Sequence, residues 1–201
     1  MANVGAVVAS LILVFVITVA LNSVLDMPDA RTRDSLDTLL NPLAVLRRSF
    51  DYMLTVCKPL ADILFGTLFQ GHGIAGPLND PRLLSVLVLL QAFNQATEET
   101  DEIKAIHAAA IDELHVSFAF TSGSPTNHGR MVYWPRVVSS EYFALLQEGK
   151  PMALILLAHW CVPLHHAPYR WYVGHWAERL IRVAAGTMNA KWRVGINGDF
   201  D

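Results

Sequence analysis

Between Pro151 and His166 the chain reads PMALILLAHWCVPLHH, and no other segment limits the fold as strongly. As a helix it puts Leu154, Ile155, Leu156, Leu157, Ala158, Trp160 and Val162 on every side, so no polar face remains. A helix of that kind belongs in the middle of a helical domain, with neighbours all around it. His159, His165 and His166 must then find polar partners wherever they are buried. A break at 167–168 leads into a second expected helix with Trp171, Tyr172 and Trp176, the last on nearly the same face as Tyr172.

The remaining segments agree with an all-α chain, since none alternates apolar and polar residues as a half-buried strand would. Apolar spacing and end signals predict helices over about 3–25, from 32 or 34 to 56, and then over 59–69, 81–97, 100–119, 140–148, 151–166 and 169–186. Pro42 falls near the middle of the second and leaves open whether it is one helix or two. Asp80 before Pro81 is a carboxylate cap followed by proline in the first turn. Ser139 or Ser140 caps the 140–148 helix, Gly149 ends it, and 121–130 is the clearest loop. The 201 residues suit one helical domain, 1–201, with a C-terminal tail over about 192–201.

Composition narrows the function. The chain is 53% hydrophobic and only 16% charged, so much of its surface must be covered, by a partner subunit, a membrane or a long apolar ligand. Net charge is −3 and the 15 Lys and Arg are scattered, which leaves no basic stripe for direct nucleic-acid binding. The two cysteines, Cys57 and Cys161, lie in apolar helical context and read as buried thiols in a reducing compartment. The apolar run over 4–25 is long enough to cross a bilayer. It lacks the preceding positive charge of a signal peptide, and the first cation is Arg31.

Neither a metal nor another cofactor is expected. His159 and His166 are seven residues apart, Pro163 lies between them, and no carboxylate on the segment completes a zinc site. There is no Gly-x-Ser-x-Gly, no glycine-rich phosphate loop after a strand, and no activating partner beside either cysteine. Arg47 and Asp51, like Arg48 and Tyr52, are spaced to touch on one helix face. Their ordinary account is a solvated ion pair. The functional one is a polar anchor at the end of a pocket walled by Phe50, Met53 and Leu54. The set Trp160, Trp171, Tyr172 and Trp176 has the same two accounts: core packing, or the aromatic wall that a bulky apolar ligand needs.

Taken in order, Trp134-Pro135, Pro151, Ala153-Leu154, Leu157-Ala158-His159-Trp160, His165, Trp171-Tyr172 and Trp176 form a recurring pattern. Upstream of them stand Asn3, Asn41-Pro42-Leu43 and Leu46-Arg47. The series resembles the fungal-specific regulatory domain of zinc-cluster transcription factors, in its sterol-responsive subgroup, over nearly the whole chain. There are departures. Arg48 stands where the family usually has glycine, Gly174-His175 differs from its pattern, and its final Trp-containing motif is reduced to Trp192-Arg193-Val194-Gly195. The family's zinc cluster and first helices have no counterpart, Met1 falling just before its asparagine-containing helix.

The resemblance implies an all-α domain, a sterol-like ligand among the C-terminal helices, a homodimer, and a buried core helix over 3–25 in preference to a membrane span. Two functions follow as expectations. In the first, the chain is a stand-alone protein that binds a terpenoid or polyketide and steers its cyclisation or cycloaddition. His159, Tyr172 and Arg47 would act as catalytic donors, and Trp160, Trp171, Trp176, His165, Phe50, Asp51 and Met53 would bind the ligand. In the second, it senses a sterol or related lipid and regulates transcription through a partner. The setting is intracellular, cytoplasmic or nuclear. A membrane-anchored accessory protein is the weaker third class.

Overall fold

A computed structural model of the chain describes residues 35–56, 77–122, 133–166 and 175–188, with Leu13, Ile17, Thr18 and Trp192. At 50, 52–54, 56, 121–122 and 165–166 it describes the main chain alone. These residues form a single all-α domain with no strand among them. The helices are α1 (Leu36–Val56), α2 (Pro81–Gln95), α3 (Asp101–Ser122), α4 (Tyr133–Val137), α5 (Ser140–Gln147), α6 (Pro151–His166) and α7 (Trp176–Thr187).

Local chemistry sets the helix ends. Ser35 opens α1, its Oγ accepting from the Thr38 amide at 3.2 Å. Asp80 accepts from the Arg82 amide at 2.9 Å and Pro81 fills the first turn of α2. Ser139 accepts from the Tyr142 amide at 3.1 Å to start α5. At the far end of α5, Gly149 adopts φ 71. Its amide donates to Leu146, and the Lys150 amide donates to Leu145, both at 3.0 Å. That pair of bonds closes the helix with a left-handed residue, the conformation glycine adopts without Cβ strain.

The core is arranged around α6 as its composition requires. Every residue from Met152 to Cys161 is at most 4% exposed. Helices α3, α5 and α7 pack against α6, α2 lies along α3, and α1 lies against α7 and α4. The burial of ten consecutive residues is possible only with neighbours on all sides, and each fully buried large side chain contributes on the order of 1.5–3 kcal/mol.

Several expectations are corrected. The question left open at Pro42 resolves to one helix: α1 runs continuously over Leu36–Val56. Helix α3 continues to Ser122, so 121–122 belong to it and not to the following loop. Trp134-Pro135 lies in the short helix α4. The helix expected over 169–186 does not run unbroken, because His175 is in a turn and Trp176 is the first residue of α7. At the start of the expected C-terminal tail, the Trp192 ring packs edge-on against Phe93 at 5.2 Å. Of the run over 3–25, the described residues Leu13, Ile17 and Thr18 are helical, with Leu13 57% and Ile17 46% exposed, and the rest lies outside the described residues. No helix among the described residues is long and apolar enough to cross a membrane. The helix expected over 59–69 lies outside the described residues.

Candidate functional site

Four large rings from four helices meet in one line through the core. Tyr142 of α5 meets Trp134 of α4 edge-on, with centroids 5.4 Å apart. Trp134 stacks on Trp160 of α6 at 5.8 Å and 24°. Trp160 in turn meets Trp176 of α7 edge-on at 6.2 Å. Offset stacks and edge contacts at these separations are the favoured geometries of aromatic pairs, each worth about 0.5–1.5 kcal/mol beyond the buried area.

The polar atoms of three of these four rings are tied to backbone. Trp134 donates Nε1–H to the Ala110 carbonyl at 2.9 Å. Trp176 donates Nε1–H to Leu39 at 3.1 Å, and the Tyr142 hydroxyl donates to Ala153 at 2.8 Å. Burial, with a smaller contribution from Cys161, pushes the Tyr142 hydroxyl well above its ordinary pKa. Burial also raises the Cys161 thiol, so it is neither a thiolate nor a nucleophile.

The predicted residues distribute as follows. His159 is 4% exposed on α6, beside Trp160, and has an interaction partner within the fold. Trp160 and Trp176 both belong to the ring line. Arg47, half-buried, donates Nη1–H to the carbonyls of Pro135 at 2.9 Å and Val138 at 2.6 Å. Its guanidinium carbon lies 5.1 Å from the centroid of the Phe143 ring. Burial lowers the Arg47 pKa, while Asp51 and Glu141 act in the opposite direction. Arg47 thus fastens α1 to the end of α4, and Asp51 beside it is exposed. Trp171 and Tyr172, and the side chains of Phe50, Met53 and His165, lie outside the described residues.

Sequence reasoning missed a second polar feature. His107 of α3 is 0% exposed, and among the described residues neither of its ring nitrogens has a hydrogen-bond partner. Its ring meets Tyr142 edge-on at 6.5 Å, which places it at the end of the ring line. Asn94 of α2 is also 0% exposed. Its Nδ2 donates to Lys104 at 2.8 Å while its Oδ1 has no partner among the described residues. The signal was legible: His107 falls in the stripe Ile103, Ala110, Leu114 at helical spacing, which places an imidazole on an apolar face. Burial lowers the His107 pKa to about 4, with Glu99 opposing and Lys150 assisting the shift. The imidazole is therefore neutral near pH 7, with one donor and one acceptor nitrogen.

Among the described residues no three His, Cys, Asp or Glu side chains are grouped as metal ligands would be. What the arrangement offers chemically is a rigid aromatic interior, with hydrogen-bonding capacity left over at one end. Compared with protein-family models, with curated proteins and with solved structures, the chain finds no match.

Proposed function

We propose that this domain binds a bulky hydrophobic small molecule, a terpenoid, sterol or polyketide, among α3, α5, α6 and α7. The observation that carries the reading is the ring line. Trp134, Trp160 and Trp176 hold the positions of the pattern that resembles the sterol-responsive regulatory domain, and although 42 residues separate the first from the last, they meet in space. Aromatic surface with few polar groups is what such a ligand requires. The ligand would be met inside the cell, in cytoplasm or nucleus.

Two uses of that binding stand. In one, the domain holds a flexible substrate in a reactive shape and so steers its cyclisation or cycloaddition; positioning of this kind needs no cofactor. In the other, it senses the ligand and passes the signal to a transcriptional partner. The raised Tyr142 hydroxyl and Cys161 thiol favour binding over acid–base chemistry at the ring line. Ligand-dependent unfolding with a sterol and with a linear polyprenol tests the reading. A ligand at ~100 times its Kd stabilises the fold by about 2.7 kcal/mol. No shift with either class would sink the proposal. Conversion of the polyprenol to a cyclic isomer, followed by chromatography, would decide between the two uses.

The covering partner is a second copy of the chain. Helix α2 presents Leu84, Val88 and Leu89 to solvent, 38%, 70% and 64% exposed. Its one charged residue, Arg82, is exposed near one end, while Glu98, Asp101 and Glu102 are exposed just beyond the other. Two such helices paired antiparallel about a two-fold axis would bury the apolar residues and set each Arg82 toward the acidic end of its mate.

A further inference from the structure

We propose that His107 and Asn94 form the polar end of the ligand site and take a hydroxyl group, so that the domain selects alcohols among hydrophobic ligands. The inference rests on the reading of the domain as a binder of bulky apolar molecules, and it names the functional group which that binder reads.

The argument starts from a contrast inside one cluster. Along the ring line, Trp134, Trp176 and Tyr142 each donate to a backbone carbonyl. At its end, three polar atoms, Asn94 Oδ1, His107 Nδ1 and His107 Nε2, are buried without a partner among the described residues. Each such atom costs about 1–3 kcal/mol if nothing meets it.

The two side chains stand on helices α2 and α3, which pack against each other. Asn94 is held by the Lys104 carbonyl, one helical turn before His107. Helical side chains lean toward the turn on their N-terminal side, and this carries the imidazole over the turn that Asn94 grips. Glu99 and Lys150 both act on the imidazole electrostatically. They stand at the α2–α3 and α5–α6 connections, paired at 3.8 Å and 26% and 35% exposed. A partly exposed pair of that length holds weakly.

Matching donors to acceptors selects the group. The pair offers two N–H hydrogens, one on the neutral imidazole and the second on Asn94 Nδ2, and two acceptors, the other ring nitrogen and Asn94 Oδ1. A hydroxyl accepts from the imidazole N–H and donates to Oδ1. A ketone or ether has no hydrogen for Oδ1, a carboxylate would face that oxygen with its own charge, and an ammonium cannot accept.

The experiment compares farnesol with farnesyl methyl ether, which retains the oxygen and loses its hydrogen, by tryptophan fluorescence titration. Wild type should bind the alcohol at least ~10-fold more tightly. Asn94→Leu should abolish that preference while leaving the ether's Kd within twofold, whereas His107→Phe, which removes the N–H that either oxygen accepts, should weaken both probes. Equal affinity of wild type for the two probes overturns the proposal and leaves the hydrophobic-ligand reading standing, since both still bind. Equal loss for both probes in Asn94→Leu also overturns it, because that side chain would then only shape the core. If wild type binds neither probe, the proposal falls together with the reading beneath it.

Discussion

The indole of Trp176 donates to the carbonyl of Leu39 across 137 residues of chain, at 3.1 Å and fully inside the protein. The bond joins the first residue of α7 to the first turns of α1, and the Trp176 ring meets Trp160 of α6. Trp176→Phe retains a ring for the contact with Trp160 but leaves the Leu39 carbonyl without that donor. We expect a loss of about 1–3 kcal/mol in unfolding free energy, read as a lower urea midpoint with an unchanged slope. A variant as stable as wild type would mean that the bond contributes nothing net.

Arg47 separates positioning from ligand contact. Its bonds run to the Pro135 and Val138 carbonyls, so Arg47→Met should destabilise the fold by about 1–2 kcal/mol, reduced by partial exposure. The Kd for a bound sterol should stay within twofold. A stable protein with ~10-fold weaker binding would return Arg47 to the ligand site, where its sequence position first suggested it.

His107 makes stability depend on pH in a definite direction. Its folded pKa is about 4 against an ordinary 6.5. Above pH 6.5 the imidazole is neutral in both states and contributes no slope. As pH falls below 6.5 the unfolded chain takes up a proton that the folded chain refuses, and stability is lost until about pH 4. The groups acting on it are Glu99 and Lys150, with the neutral Tyr142 ring on α5. Between pH 7 and pH 5 the loss should be about 2 kcal/mol. His107→Phe should remove that part of the slope, measured by urea unfolding at both pH values.

His159→Ala asks whether that histidine serves the core or the ligand. In the core it should lower stability by roughly 1–3 kcal/mol and leave ligand affinity intact. In the site the melting temperature should hold while affinity falls ~10-fold, about 1.4 kcal/mol. Both quantities measured on one protein decide it, and a destabilised variant with full affinity removes His159 from the site.

The apolar side of α2 predicts the assembly. Val88→Glu places a charge at the centre of the proposed two-fold contact and should give a monomer by light scattering at micromolar concentration, with an unchanged helical circular dichroism spectrum. A monomeric wild type under the same conditions would refute the dimer outright.

Much of this architecture could be read from the chain because the signals are local. The all-round apolar character of α6 required a central position, and Met152 to Cys161 occupy one. Asp80-Pro81, Ser139 and Gly149 mark helix ends through bonds to residues two to four positions away. Those contacts depend on chemistry within a turn, which sequence states directly. The exposed side of α2 was not legible in the same way, since Leu84, Val88 and Leu89 look like core residues until the packing of the whole domain shows which side α3 covers.

The site divides along the same line. Sequence alone determined that Trp160, Trp176 and His159 would lie on or beside a buried helix, because periodicity fixes which residues share a segment and a face. Only the tertiary structure decided that Trp134 and Tyr142 complete their line, and that Arg47 spends two donor bonds on the end of α4. It likewise decided that His107 and Asn94 are buried with polar atoms unanswered among the described residues. Those outcomes depend on contacts between helices far apart in the chain. Burial and hydrogen-bond partnership are properties of the assembled core, set by all the helices at once, and no spacing within a single segment encodes them.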